Sequence, residues 1–153
     1  MRSWWLNLVG DDSTFRFGIA WIALVLAVAL HVLDEALTGF LGVYNPTVVE
    51  MRRRIRWLPM PTFKYSVWLV GLIVGLSVAL MLSPLAFHFP REFRPFAIGG
   101  AVLMVLNGIG HLLGTIAGHT FNGIRFPRPM PGTYSSPTMI AAAIYLLMVC
   151  CSI

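Results

Sequence analysis

The chain has 153 residues, of which 58% are hydrophobic and only 11% are charged, and its mean hydropathy is +0.78. Soluble domains carry about 25% charged residues, so this composition excludes an ordinary soluble protein and indicates a single membrane domain over residues 1–153, surrounded by membrane lipids. The net charge of +5 comes from basic residues that flank apolar runs. Without a nucleic-acid-binding motif, that charge does not indicate nucleic acid as a partner.

The first predicted membrane span, from about residue 15 to residue 40, contains the most unusual side chains of the chain. His31 lies in an apolar run and is followed by Asp34 and Glu35, which on a helix occupy the same face one turn later. An ionisable group near the bilayer centre costs about 2.5–3.5 kcal/mol on insertion scales, so such groups usually face protein and mark a functional site. The pattern therefore predicts an imidazole–carboxylate cluster.

The segment from residue 45 to residue 63 interrupts the apolar pattern with three prolines and an arginine-rich run that ends at Trp57. Basic residues beside a tryptophan are typical of the membrane interface, where arginines contact lipid headgroups. We therefore expect a short basic interfacial segment between the first two spans. It is either a plain positive-inside anchor or a specific headgroup site.

The second predicted span covers about residues 65–82, and Gly71, Gly75 and Ala79 give it a small residue at every fourth position. Such a stripe lets a neighbouring helix approach closely, so we interpret it as a packing feature. A short loop is expected to follow, with His88 as a water-exposed interfacial histidine.

The third predicted span covers about residues 95–117 and contains Asn107 and His111, which are four residues apart and therefore share a helix face. A second small-residue stripe, at Gly110, Gly114 and Gly118, lies beside them. A fourth span is predicted over residues 137–153, about 25 Å of helix and just membrane-length. Ser135 and Ser136 precede a proline and are interpreted as a helix start. The predicted fold is thus an all-α bundle of four transmembrane helices.

Four spans would place the loop between spans one and two on the same side as the loop between spans three and four. That side carries seven basic residues against four on the other: Arg52, Arg53, Arg54, Arg56, Lys64, Arg125 and Arg128 against Arg2, Arg16, Arg91 and Arg94. The positive-inside rule then predicts that both of these loops are cytoplasmic.

The two polar clusters are predicted to lie at the same depth. His31 and His111 each follow the start of their span by about 16 residues, which is about 24 Å of helix from the same membrane face. We therefore expect one shared site between helices one and three, formed by His31, Asp34, Glu35, Asn107 and His111.

Several chemistries fit these residue types. His31, His111 and Glu35 are candidate ligands for a divalent metal, either Zn²⁺ with an open position or Fe(II). Asp34, Glu35 and Asn107 are candidate catalytic residues that orient or activate water against a lipid-like substrate. The alternatives are metal-free acid/base catalysis of an isomerase type, a structural hydrogen-bond network, and an accessory subunit of a larger membrane complex.

Three motifs resemble those of the HXXEE-domain family of small polytopic bacterial membrane proteins. They are HVLDEALTGF at residues 31–40, NGIGHLL at residues 107–113 and RPMPGTYSSPT at residues 128–138, which resemble the family's HxxEE, NxxxH and PG motifs in their order. His31, Glu35, Asn107, His111, Pro131 and Gly132 match, whereas Asp34 stands where the family has its first Glu. The resemblance implies a multi-span fold in the bacterial inner membrane and an enzymatic site, without naming a substrate.

Overall fold

The computed structural model of the chain describes residues 12–57, 59–119, 124–125 and 127–152. The regular secondary structure of this part is helical, apart from one isolated bridge between His119 and Arg125. Its helices are α1 (Asp12–Thr38), α2 (Leu41–Arg54), α3 (Tyr65–Met81), α4 (Ser83–His88), α5 (Pro90–Ala117) and α6 (Ser136–Cys150).

Three helical stretches are long and apolar enough to cross a membrane: Ser13–Thr38, Tyr65–His88 and Pro90–Ala117. The composition-based prediction of a helical membrane protein agrees with this finding. A fourth crossing is not confirmed, because α6 has only 15 residues and would extend about 22 Å, whereas the hydrocarbon core of a bilayer is about 30 Å thick.

The core lies where α1, α5 and α6 pack together. Phe17, Trp21 and Leu24 of α1 meet buried alanines of α5 and α6, such as Ala97 and Ala143. Alanine adds little bulk beyond the backbone, so the helix axes can approach closely there. This packing fixes the relative positions of the helices that carry the polar side chains.

Ring contacts at two levels show that α1 and α5 run in parallel. Near one end the Trp21 and Phe93 ring centroids are 4.9 Å apart, and near the other end those of His31 and His111 are 4.8 Å apart. In each helix the histidine follows the aromatic residue, so both helices point in the same direction. The C-terminal parts of α1 and α5 consequently lie side by side.

The predicted proline-broken segment after the first span is partly helical, since α2 continues through Pro46. Its tertiary contacts explain the difference. The Asn45 amide donates to the carbonyl oxygen of Phe63 at 2.9 Å and accepts from the Phe63 backbone N–H at 3.0 Å. The Tyr44 hydroxyl donates to the carbonyl of Pro61 at 3.1 Å. These bonds hold α2 against the chain that leads into α3.

The loop expected around His88 is also helical. Pro84 lies in the first turn of α4 and Pro90 in the first turn of α5, where the missing amide proton costs nothing. These prolines therefore begin helices rather than interrupt them. His88 ends α4 and is exposed, as expected.

The predicted small-residue stripes are not the places of closest helix contact. A Cβ atom added at Gly71, Gly75 or Gly110 would have no heavy atom within 4 Å. At Gly108, by contrast, an added Cβ would lie 2.6 Å from Cγ1 of Ile140. Glycines in close contact with another helix are instead Gly108 of α5, against Ile140 of α6, and Gly18 of α1, where an added Cβ would clash with Cδ1 of Phe87 in α4.

Candidate functional site

Two histidines and a glutamate converge where the C-terminal parts of α1 and α5 meet. Oε1 of Glu35 lies 3.1 Å from Nε2 of His111 and 3.5 Å from Nε2 of His31. All three residues are buried, with exposed fractions of 2% for His31, 6% for Glu35 and 3% for His111. Each offers a ligand atom, and these atoms lie within 4.8 Å of one another.

The local sequence explains why these side chains point together. His31 and Glu35 are four residues apart on α1 and so lie on one face, one turn apart. Asn107 and His111 have the same spacing on α5, and Nδ2 of Asn107 lies 3.0 Å from Nε2 of His31. Two pairs of polar residues, each with a spacing of four on its own helix, therefore face each other between α1 and α5.

Ser135, the residue before α6, connects His31 to Asp34. Its hydroxyl donates to Oδ2 of Asp34 at 2.8 Å and lies 2.9 Å from Nδ1 of His31. Because the single hydroxyl proton goes to the carboxylate, the oxygen can accept only from a protonated Nδ1 of His31. The neutral imidazole then carries its lone pair on Nε2, which accepts from the Asn107 amide N–H at 3.0 Å and faces Glu35.

His111 is held differently. Its Nε2 faces Glu35, whereas its buried Nδ1 has no hydrogen-bond partner among the described residues. A buried ring nitrogen without a partner is uncommon and needs an explanation such as a catalytic role or a missing ion or water. The Phe40 ring, with its centroid 5.6 Å away, covers another side of the imidazole.

A turn between α5 and α6 closes the cluster. Gly132 has φ +83°, and a Cβ added there would lie 2.9 Å from Cε1 of both His31 and His111. Glycine is therefore required for two reasons, the left-handed backbone and the closeness of the two rings. The turn is tied to α5 by Thr115, whose hydroxyl donates to the carbonyl of His111 at 3.0 Å and accepts from the Met130 N–H at 3.0 Å.

All five residues expected at the site lie there, but in different roles. His31, Glu35 and His111 form the group of potential ligands, and Asn107 contacts it. Asp34 is turned toward α6, where its Oδ2 also accepts from the Ser135 backbone N–H at 2.9 Å. Whether any of them binds a metal or acts as a catalyst stays a prediction.

Ser135 is the site residue that sequence reasoning missed. It was assigned to a helix start, and α6 does begin at Ser136, but the Ser135 side chain makes no capping hydrogen bond. Its position in the segment RPMPGTYSSPT was the available signal, because that segment carries the Pro131–Gly132 pair of the third motif.

No protein-family model, curated protein or solved structure matches the chain. The resemblance to the HXXEE-domain family therefore stays a prediction based on the three motifs.

Proposed function

We propose that the protein is a membrane-embedded enzyme in which His31, Glu35 and His111 bind a divalent metal ion near a lipid or other apolar substrate. The observation that carries this proposal is a buried cluster of three ligand-type side chains from two helices, in which the Nε2 atoms of His31 and His111 both face Oε1 of Glu35. Buried polar groups in a membrane domain are expensive, so their collection at one point favours function.

The donor set and its spacing suit such an ion. Two imidazoles and one carboxylate are the ligands of zinc sites with an open position and of two-histidine, one-carboxylate Fe(II) sites. Bond lengths of about 2.0–2.2 Å place neighbouring ligand atoms of a tetrahedral zinc site about 3.4 Å apart. The 3.1 and 3.5 Å separations around Glu35 Oε1 are close to this value, and all three ligand atoms lie within 4.8 Å of one another. A bound ion would supply Lewis acidity and make a nearby water more acidic.

The chain's own groups have separate tasks in this proposal. Ser135 and Asp34 hold the His31 ring with the Nε2 lone pair toward the ligand group, as partners of metal-binding histidines commonly do. The Asn107 amide, 3.0 Å from His31 Nε2, can orient a polar substrate group or a water molecule. Glu35 would supply the carboxylate ligand, with Oε1 3.1 Å from Nε2 of His111.

The proposal includes membership of an HXXEE-like family and a fourth crossing by α6. Its support is that residues from all three motifs are neighbours in space: His31 and Glu35, Asn107 and His111, and Gly132. The packing of the buried face of α6 against the α1–α5 core supports a fourth crossing. A bacterial inner-membrane location with lipids as partners follows from the family resemblance.

Metal analysis of the purified protein tests the proposal directly. We expect stoichiometric zinc or iron in the detergent-purified wild type, and loss of most of it in His31→Ala and in His111→Ala. His88→Ala is the matched control, because His88 is exposed and lies at the opposite end of the bundle. A wild type that keeps its helical circular dichroism but takes up neither metal, even after incubation with Zn²⁺ or Fe²⁺, would contradict the proposal.

Metal-free acid/base catalysis of an isomerase type is the second candidate. The observation in its favour is a continuous polar chain from Asp34 through Ser135 to His31, which is a path for a proton. Folded protein without metal, in which Glu35→Gln still changes turnover of an apolar substrate, would favour this candidate. Metal-free protein that is stable only with other membrane subunits would instead favour the accessory role.

A further inference from the structure

A cavity of about 290 Å³ adjoins the candidate metal site on the side of α2. Asn107 and His111 line it together with residues of α2, including Val43 and Val48. Pockets for small molecules occupy about 300–1,000 Å³, so this cavity has room for one small molecule or for one end of a longer one. It reaches two residues of the polar cluster without opening the whole cluster to water.

The walls of the cavity are mainly apolar. Three methionines contribute to them, Met51, Met60 and Met130, and methionine adapts its shape to different apolar partners. The hydroxyl proton of Thr47 is committed to the carbonyl oxygen of Val43 at 2.7 Å.

The remaining wall hydroxyl, that of Tyr44, likewise donates to the carbonyl of Pro61. Burial raises the pKa of the Tyr44 phenol, an effect that the charge of Arg52 partly offsets, so this group is neutral at physiological pH. A ligand's polar end would consequently find its partners at Asn107 and His111, while its body would meet apolar wall.

The depth of the cavity also limits the kind of ligand. His31 precedes the end of α1 at Thr38 by seven residues, and His111 precedes the end of α5 at Ala117 by six. At about 1.5 Å per residue the cluster lies about 10 Å from these helix ends. The cavity extends from there toward α2, whose last turn carries Arg52, Arg53 and Arg54. A position near the ends of membrane helices and beside arginines is typical of the boundary between lipid tails and headgroups.

We infer that this cavity is the substrate site of the proposed enzyme and binds a small linear amphiphile of the fatty-alcohol or fatty-acyl type, with its polar end at Asn107 and His111. The inference rests on the proposed function for the chemistry at that end. The alkyl body would lie along α2 against the methionines and valines of the wall. The ligand's apolar contacts would thereby include methionines, which adapt their shape, and the buried valines Val43 and Val48.

Gly110 allows a specific test. It lines the cavity, and a Cβ added there would meet no heavy atom within 4 Å, so a side chain at this position enters the cavity instead of clashing with the protein. Gly99 is the matched control. It lies on the same helix, has equally open surroundings, and is not part of the cavity lining.

The experiment uses dodecanol that carries a photoreactive diazirine, applied to the full-length protein in detergent. We expect labelling of α2 and of the segment around Gly110, suppressed by excess unlabelled dodecanol. Gly110→Leu should reduce this competable labelling about tenfold, and Gly110→Ala should reduce it less. Gly99→Leu should leave it at the wild-type level.

Metal content is measured in the same preparations, which separates the two proposals. Metal-loaded wild type without competable labelling, or with labelling that Gly110→Leu does not change, would overturn the substrate site and leave the metal site intact. Labelling that responds to Gly110→Leu in a protein that binds no metal would overturn the metal site alone.

Discussion

Ser135 shows how much of the site depends on a residue that is not itself a candidate ligand. Its hydroxyl donates to Asp34 and lies within hydrogen-bond distance of His31. These side-chain contacts connect the start of α6 to α1. A histidine whose second nitrogen has a fixed partner presents its first nitrogen in one orientation and as a better base. The orientation of His31 on α1 therefore depends on the hydroxyl of a residue that directly precedes α6.

Replacement of Ser135 should weaken metal binding more than it weakens the fold. We expect Ser135→Ala to lower metal affinity about 10- to 100-fold, the usual effect of losing a partner of a metal-binding histidine. Chelator competition on the purified protein measures this affinity. Ser136→Ala is the matched control, because the Ser136 hydroxyl donates to the Gly132 carbonyl at 2.7 Å, whereas that of Ser135 lies 2.9 Å from Nδ1 of His31. Equal affinity in the two variants would contradict the positioning role of Ser135.

The single residues differ in how far they could be predicted from the sequence. His31 with Glu35, and Asn107 with His111, follow from helical spacing because each pair belongs to one helix. Ser135 lies 104 residues from His31 and 101 from Asp34. No local pattern contains that contact, and a helix start was a sufficient local explanation for a serine before a proline. Tertiary packing gives Ser135 its second role.

The glycines of the helices illustrate the limits of a sequence pattern at the level of an element. A small residue at every fourth position lets a neighbouring helix approach closely, but it does not indicate which of two such stripes contacts another helix. On α3, Gly71 and Gly75 face open space, whereas the single Gly108 of α5 lies against Ile140. The prolines also differ in effect: Pro46 lies inside α2, Pro84 and Pro90 lie at helix starts, and Pro59 and Pro61 lie in the non-helical segment between α2 and α3.

The contact between α5 and α6 can be tested at Gly108. Gly108→Ala places a methyl group 2.6 Å from Cγ1 of Ile140, so we expect a loss of about 1–3 kcal/mol in stability from overpacking. Gly71→Ala adds the same methyl group to an open helix face and should be neutral or slightly stabilising, since alanine favours helix. Thermal unfolding in detergent, or unfolding with a denaturing detergent, compares the two variants. A Gly71→Ala variant as unstable as Gly108→Ala would contradict this packing.

The helical membrane fold was the most predictable property of the molecule because it depends on composition and on long apolar runs. Three stretches meet the length needed for a crossing, while α6 falls below it and is held by its buried face against α1 and α5. Sequence length alone could not distinguish a short crossing helix from a helix packed inside the bundle. That distinction depends on contacts between distant parts of the chain.

Orientation in the membrane is testable with accessible cysteines. The positive-inside rule predicts that the segment after α2 is cytoplasmic, and Trp57 in this segment is 82% exposed. With Cys150 and Cys151 replaced by serine, a Trp57→Cys variant should react with a membrane-impermeant maleimide only after the membrane is permeabilised. His88→Cys, at the opposite end, should react in intact cells. The reverse pattern would show that the loops face the other side.

The closing turn at Gly132 has a consequence for biogenesis. The candidate site draws on α1, on α5 and on the turn that leads into α6, and ribosomes deliver these parts in that order. While α1 and α5 enter the lipid, the imidazoles and the glutamate still lack the glycine that covers both rings and the serine that aligns His31. The candidate site therefore cannot assemble until the α6 segment has been made, so its polar side chains enter the membrane before they have all their partners.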